Sequence, residues 1–477
     1  MKEVGKRIFK TIKNPPILRV VSPLQRFIQQ EATSSKVLLA GILIGLIWAN
    51  IPWGDTYNFV WDTIVSINIG NYSLSQPLLL WINDGLMVLF FFVIGLELKR
   101  EFLIGGLSDL KDSLLSILAA FGGMIFPAIF FVIINPPGTD GAMGWNIPVA
   151  TDIAIAIGVL SFFSYKIPKR IKLFLTSMAI FDDLASIVII AIFHSSNLNW
   201  IFIGISLGII ALLVVFNLIG IRNSFFYLVP GIFLWGCVLV SGVHATVSGV
   251  ILAATIPATK RIDLDDFYCM SKKSLNDISD IQVDTDEVSC YNRVITQVHA
   301  LEDGFRNIQA PLQILEHKLM GISAFIIVPL FALANSGVNF FGLGTNPFTE
   351  RTFWGVFCGL VVGKPIGVLL VTFIVTRFKA FKLPSNVNWL HITGMACLMG
   401  VGFTMSSFLA GLAFINDPAL LSTAKIAILL GSLISGALGY FVLHFSVKKM
   451  DSDLLKKTSD IEKTSAEMCK QENILPD

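Results

Sequence analysis

Apolar stretches of bilayer length recur from Lys36 to about His444 with short gaps between them, and no other feature limits the fold as strongly. A hydrocarbon core about 30 Å thick takes roughly 20 helical residues to cross. It admits only helices or closed barrels, because each backbone N–H and C=O must be satisfied inside the chain. Composition agrees: 54% of the 477 residues are hydrophobic and 14% charged, against about 25% charged in soluble domains. The expected fold is an all-α polytopic membrane domain over 36–446, between a basic segment at 1–35 and a charged tail at 447–477. The basic segment lacks an apolar core before a small-residue cleavage site, so no cleaved signal is expected.

A bilayer-length window predicts about twelve transmembrane helices, near 36–51, 77–102, 113–134, 144–164, 171–193, 199–218, 224–241, 243–257, 318–339, 352–376, 388–413 and 421–446. The seventh and eighth are short and interrupted by glycine. Charge gives their direction. Loops at 52–76, 135–143 and 194–198 hold no Lys or Arg, and the remaining loops on that side hold only Arg351 and Lys425. The other side holds Lys99, Arg100 and Lys111, then "YKIPKRIK", Arg222, "TRFKAFK" and "VKK". Positive charge collects on the cytoplasmic side, so an even span count with both termini cytoplasmic is expected.

Three polar segments stand apart. The cytoplasmic loop 258–317 has ten acidic and six basic residues between Lys260 and Arg306, and reads as a solvated loop with some helix or as a regulatory module. The tail from Asp451 reads as disordered or loosely helical. In the first outer loop, "SINIGNYSL" alternates apolar and polar residues about Gly70-Asn71, the signal of a tight β-hairpin. An exposed hairpin edge suits self-association; a plain loop is the other reading. Six cysteines without paired spacing argue against a disulfide framework or zinc site. Nothing calls for a cofactor, and no basic tract interleaved with aromatics points to nucleic acid.

Charges inside the spans carry the functional information, because each is expensive in lipid. Asp182 and Asp183 stand together near the middle of Ile171–Phe193. A charge at that depth opposes insertion by roughly 2.5–3.5 kcal/mol. Neighbours on a helix point about 100° apart, so one carboxylate can face an ion path while the other faces a partner helix. Lys364 in "VVGKPIG" lies at similar depth and is the obvious counter-charge, as a structural ion pair, a titrating one, or both. Asp84 in "WINDGLM", Glu97 in "GLELKRE" and Asp152 in "IPVATDIAIA" complete the set.

Two of these spans carry signals of interruption. Pro148 precedes Asp152 in span four, and Gly394, Gly400 and Gly402 punctuate span eleven. Broken helices in corresponding positions make spans three to five and ten to twelve related units of opposite orientation, an arrangement that points to a midplane substrate site. Carboxylates, Thr151 and freed carbonyls are hard oxygen ligands, fit for a hard cation. Two close carboxylates resist ionising together, so proton and cation compete for them. A site that opens to one side at a time turns that competition into exchange.

The motifs "WINDGLM", "FFFVIGLELKRE", "PVATDIAIAIGVL", "FLTSMAIFDDLASIVIIAIF", "SGVHATVSGV", "PLFALANSGV", "GKPIG" and "GVGFTMSSFLA" resemble the NhaA-type sodium/proton antiporters, in that family's order, from about Lys36 to Leu443. That family is itself a standing example of inverted-repeat transporters, so this part of the fold is what the resemblance implies. It implies Asp183 as the central cation-binding carboxylate, Asp182 as the neighbour that pairs with Lys364, and Asp152 and Thr151 beside the helix-four break. Gly402 matches the broken stretch of helix eleven. Glu97, Arg100, Glu101, Glu316 and His317 match a cytoplasmic cluster linked to pH activation, although Glu97–Glu101 also reads as an ordinary charged helix end. His244 matches a pH-response histidine and reads equally as a packing histidine. The resemblance further implies electrogenic exchange of cytoplasmic Na+ or Li+ for incoming H+, a bacterial inner membrane, and homodimers through the hairpin near Ile67–Leu74. The extended 258–310 loop, the N-terminal segment and the tail depart from the family pattern.

An intramembrane aspartyl protease would need its two aspartates on facing helices, and no "GxGD" occurs, so no enzyme is expected. An uncoupled cation channel or uniporter is the main alternative; mid-span Lys364 and paired broken helices favour obligatory exchange.

Overall fold

A computed structural model of the chain describes residues 31–472 apart from 70–71, 104, 106–109, 164–166, 194–197, 261, 280–286, 341–345 and 379–386. The basic segment through residue 30, the Gly70-Asn71 turn, the "KAFK" of "TRFKAFK" and the start of "YKIPKRIK" lie outside the described residues.

Helix α1 (Glu31–Asn50) and short α2 (Asp55–Trp61) precede strands β1 (Ile64–Ile69) and β2 (Tyr72–Pro77), which pair antiparallel with Ile67 opposite Leu74. Next come α3 (Leu78–Leu103), α4 (Leu110–Ile134), a 3₁₀ helix (Asp140–Val149) leading into α5 (Ile153–Ser161), and α6 (Lys169–Phe193). They are followed by α7 (Trp200–Ile219), α8 (Phe225–Val240), α9 (Thr246–Thr255), α10 (Leu264–Ser279) and α11 (Glu287–Ile308). The chain ends with α12 (Pro311–Asn335), α13 (Arg351–Thr376), α14 (Trp389–Met399), α15 (Phe403–Ala413) and α16 (Pro418–Glu472).

Among the described residues, nine helical stretches are long and apolar enough to cross a membrane, and the 3₁₀ helix with α5, bent by 42°, makes a tenth. These fall on ten of the twelve expected spans. The seventh and eighth correspond to α8 and α9, of 16 and 10 residues. At 1.5 Å per residue they reach only about 24 and 15 Å, short of the hydrocarbon thickness. The polar segment before α12 is mostly helical: α10 and α11 pack together, with the Phe267 and Phe305 rings 5.0 Å apart. Helix α16 continues for 55 residues, so the tail is helical to Glu472, beyond its membrane-length part ending at Lys449.

The chain divides into two compact units. One comprises 1–79, 109–186 and 324–477; the other comprises 80–108 and 187–323. In the first, Ala120, Ala179, Val368, Met395 and Met399 share a continuous core. Helices α4 and α13 approach so closely that a Cβ on Gly122 or Gly367 would collide with the other's carbonyl oxygen, which fixes α13 and the lysine it carries. Both three-span groups expected to be related, α4 to α6 and α13 to α16, belong to this unit up to Ser186 of α6. In the second unit, Phe92, Leu96, Leu213, Tyr227, Leu252 and Leu312 form the core. Outward faces stay apolar, with Leu218 82% exposed, as lipid requires and water would not.

Candidate functional site

The break in span four has a local cause. Proline lacks a backbone donor, and Pro148 stands inside the 3₁₀ helix one residue before its end. Beyond Pro148 the 3₁₀ helix ends, and Ala150 (φ −76°, ψ 154°) and Asp152 (φ −95°, ψ 97°) are extended before α5 begins. The second break, Gly400–Gly402, separates α14 from α15. The two breaks touch. The Asp152 N–H donates to the Val401 carbonyl at 2.6 Å, and a Cβ on Gly402 would lie 2.7 Å from the Ala150 carbonyl oxygen. Glycine is required there by backbone proximity.

Asp152 holds both new helix starts. Its Oδ1 accepts from the Ile155 N–H at 3.2 Å, and its Oδ2 accepts from the Thr404 N–H at 3.2 Å and the Thr404 hydroxyl at 2.7 Å. A helix start carries about half a positive charge and unsatisfied N–H groups, so one carboxylate here serves α5 and α15 together. Thr404 was not singled out in the sequence, yet it lies two residues past Gly402 (in "GVGFTMSSFLA"), where any restarted helix needs an acceptor.

Beside this crossing lies a buried ion pair. Lys364 Nζ is 2.9 Å from Asp182 Oδ2, with both side chains fully buried. The Thr151 hydroxyl accepts from Lys364 and lies 2.8 Å from Asp182 Oδ2 and 2.9 Å from the Met399 carbonyl oxygen. A hydroxyl has one proton, so Thr151 donates to Asp182 or to Met399 at any moment, never to both. Asp182 Oδ1 has no hydrogen-bond partner among the described residues. Asp183 follows on α6, 1% exposed. Lys364 enters this environment from a π-helical turn, Gly359–Gly363, directly before Lys364-Pro365; proline cannot donate inside a helix, and the wider turn accommodates it. The structure therefore brings Thr151, Asp182 and Lys364 into direct contact, with Asp152 and Asp183 each adjoining one member along the chain and Pro148, Gly400 and Gly402 shaping the backbone. Its oxygens are hard donors that suit a proton or a hard cation.

The remaining candidates belong to the second unit and form two groups. Arg100 Nε is 3.0 Å from Glu316 Oε1, and its Nη2 is 2.8 Å from Glu101 Oε1. Glu97 is half-buried one turn earlier on α3, and His317 is exposed beside Glu316. Lys99 donates to the Ala254 and Ile256 carbonyls, both at 2.6 Å, and so satisfies the end of short α9. His244 is elsewhere: its Nε2 lies 3.9 Å from Asp84 Oδ1, and its Nδ1 is 3.0 Å from the Thr246 hydroxyl. Sixteen residues of α3 separate Asp84 from Arg100, about 24 Å along a helix. The pH-response candidates therefore do not form one cluster.

Comparison with known proteins follows this geometry. Residues 25–443 match the family described as Na+/H+ antiporter 1. The Na(+)/H(+) antiporter NhaA of Acidithiobacillus ferrooxidans is 40% identical over 442 residues, 91% of this chain and 100% of that protein. Na(+)/H(+) antiporter NhaA 1 of Saccharophagus degradans is 39% identical over 434 residues, 89% and 92% of the two chains. Na(+)/H(+) antiporter NhaA 2 of Flavobacterium johnsoniae is 38% identical over 417 residues, 87% and 91%.

Proposed function

This chain belongs to the Na+/H+ antiporter 1 family, and from that premise we propose how its buried charges couple two ions. The protein is a multi-pass membrane protein that exchanges sodium for protons. In the proposed cycle Asp183 is the principal carboxylate, assisted by Asp182, Thr151 and Asp152, and it holds either a proton or a sodium or lithium ion. Lys364 is the counter-charge of Asp182, with both side chains fully buried. When the cation arrives, its positive charge replaces the protons; when it leaves, protons return.

The observation that supports this reading best is the fully buried Asp182–Lys364 pair, joined through Thr151 to the meeting point of two broken helices. A buried ion pair is weak support for stability alone; at a helix break it places exchangeable charge beside free backbone dipoles. In the proposed orientation both termini are cytoplasmic, in a bacterial inner membrane. The exchange is electrogenic, exporting cytoplasmic sodium against a larger number of entering protons, and it serves pH and sodium homeostasis. Glu97, Arg100, Glu101, Glu316 and His317 set the pH at which exchange starts, with His244 a separate contributor. The β1–β2 hairpin joins two copies into a dimer.

Sodium-induced collapse of an imposed pH gradient in everted vesicles tests the core of this proposal. Wild type collapses the gradient and Asp183→Asn does not. An Asp183→Asn protein that still exchanged would move the cation site elsewhere.

A further inference from the structure

A π-turn puts one extra residue into a helix, so the side chains after it are turned by about 100° from where an unbroken α-helix would carry them. Gly359–Gly363 is such a turn, and Lys364 is the first residue beyond it. The direction in which Lys364 points therefore depends on whatever holds this turn. Two of its contacts are with the helix breaks themselves. A Cβ on Gly359 would lie 2.6 Å from the Pro148 side chain, and a Cβ on Gly400 would overlap the Leu360 carbonyl oxygen. The turn is wedged between the interruption of span four and that of span eleven, with Gly363 set against Pro127 of α4.

The Leu360 carbonyl has lost its ordinary helical partner. The Lys364 N–H, which would serve it in an α-helix, reaches back to Gly359, and Pro365 has no N–H to offer. Ser435 of α16 donates its hydroxyl to this carbonyl at 3.4 Å. Three residues earlier, Ser432 accepts from the Gly402 N–H at 3.2 Å, a free donor at the start of α15. Residues three apart share a helix face, so one face of α16 serves both the π-turn and the break. Glycines let it come close: a Cβ on Gly431 would meet the Leu360 side chain at 3.1 Å, and one on Gly439 would meet the Gly394 carbonyl oxygen at 3.1 Å. Both serine hydrogen bonds go to backbone and neither goes to the charged cluster.

We infer that Ser432 and Ser435 are positioning residues for exchange, clasping the π-turn of α13 to the α14–α15 break and so setting how tightly the site takes sodium. The inference deepens the antiport reading above and rests on it. A cation site gains affinity when its oxygens and counter-charges are held in place before the ion arrives. With the clasp closed, the turn that aims Lys364 and the break that presents the Met399 carbonyl to Thr151 are fixed against one another. Without it, the Leu360 carbonyl and the Gly402 N–H lose these partners, turn and break are freer to shift, and binding has to order them as well.

Ser435→Ala in the full-length protein tests the clasp, with Ser432→Ala as an independent repeat and Ser446→Ala, a buried serine further along α16, as the control. Sodium is titrated against collapse of an imposed pH gradient in everted vesicles, and against the melting temperature of the purified protein. Ser435→Ala and Ser432→Ala should each raise the half-saturating sodium about fivefold in both titrations, the size of one net hydrogen bond. The maximal rate at saturating sodium should stay close to wild type, and Ser446→Ala should match wild type throughout. A serine that only packs would lower the melting temperature without sodium and leave the sodium midpoint in place; that result overturns the inference. A lower maximal rate at an unchanged midpoint overturns it too, as does an equal shift in Ser446→Ala. Asp183→Asn, run beside them, separates the two readings. If it is inactive while the serine variants titrate like wild type, only the clasp fails. If wild type itself shows no sodium-dependent collapse, the antiport reading fails and the clasp with it.

Discussion

Lys364 meets Asp182 with both side chains at 0% exposure, whereas Arg100 meets Glu316 with its own side chain 35% exposed. The two ion pairs have similar distances and different physics. Solvent reaches the Arg100 end of the second while Glu316 is only 5% exposed, so that pair is partly screened. No solvent screens the first. Its desolvation is offset only while both charges and the Thr151 hydroxyl stay in place. A change of charge there has to be matched by another ion. A change of charge at Arg100 can be matched by water. In the proposed cycle exchange belongs to the closed cluster and sensing to the partly open one.

The most severe way to test that contrast is Asp183→Asn, which should abolish exchange in vesicles while the protein still inserts and purifies as a folded species. Next, Lys364→Ala should destabilise by about 3–5 kcal/mol, because it strands Asp182 in the interior. Thermal unfolding in detergent reads this, and combining Asp182→Leu with Lys364→Met should recover most of the loss. If the double change melts as low as Lys364→Ala, the pair is not what the lysine supports. Gly402→Ala should cost about 1–3 kcal/mol through overpacking against Ala150, with a matching fall in exchange rate. Arg100→Ala should destabilise by about 1–3 kcal/mol, less than Lys364→Ala, because it leaves the buried Glu316 carboxylate without its partner, and displace the pH profile of exchange by about one unit. A profile that stayed in place would remove the open cluster from regulation. Deleting Ile67–Leu74 touches neither cluster. It should weaken dimers on size-exclusion chromatography with exchange per protomer preserved.

Much of this contrast is legible in the sequence, for reasons that differ by residue. Asp182, Asp183 and Lys364 stand out because lipid makes each charge conspicuous, and matching depth narrows the lysine's partner to one of two aspartates. The structure selects Asp182. The interruptions at Pro148 and Gly400–Gly402 are readable because proline and glycine act on their own backbone. What the sequence hides depends on tertiary placement. The Met399 carbonyl and Thr404 matter only because α14 and α15 cross the chain around Asp152, 252 residues from Thr404. Their residue types give no warning of that. The shortness of α8 and α9 is partly readable, since glycines and polar turns at Arg222–Ser224 and Ser241–His244 bound them. The pairing of α10 with α11 is masked by the acidic composition of the segment, within which Phe267 and Phe305 supply the contact. His244 stands apart from the Arg100 group in its motif as well, and the structure sets it beside Asp84, a neighbour the motif does not indicate.

The distance along the chain between Asp182 and Lys364 also bears on how the protein is made. Lys364 is encoded 182 residues after its partner. A ribosome adding about 5–20 residues per second needs roughly ten to forty seconds to supply it. During that interval α6 is already synthesised and Asp182 lacks the lysine it pairs with. The nascent half-protein must keep that carboxyl protonated or sheltered at the insertion machinery until span ten arrives. A chain cut short before Lys364 is then a substrate for membrane quality control, recognised by charges that the finished protein conceals.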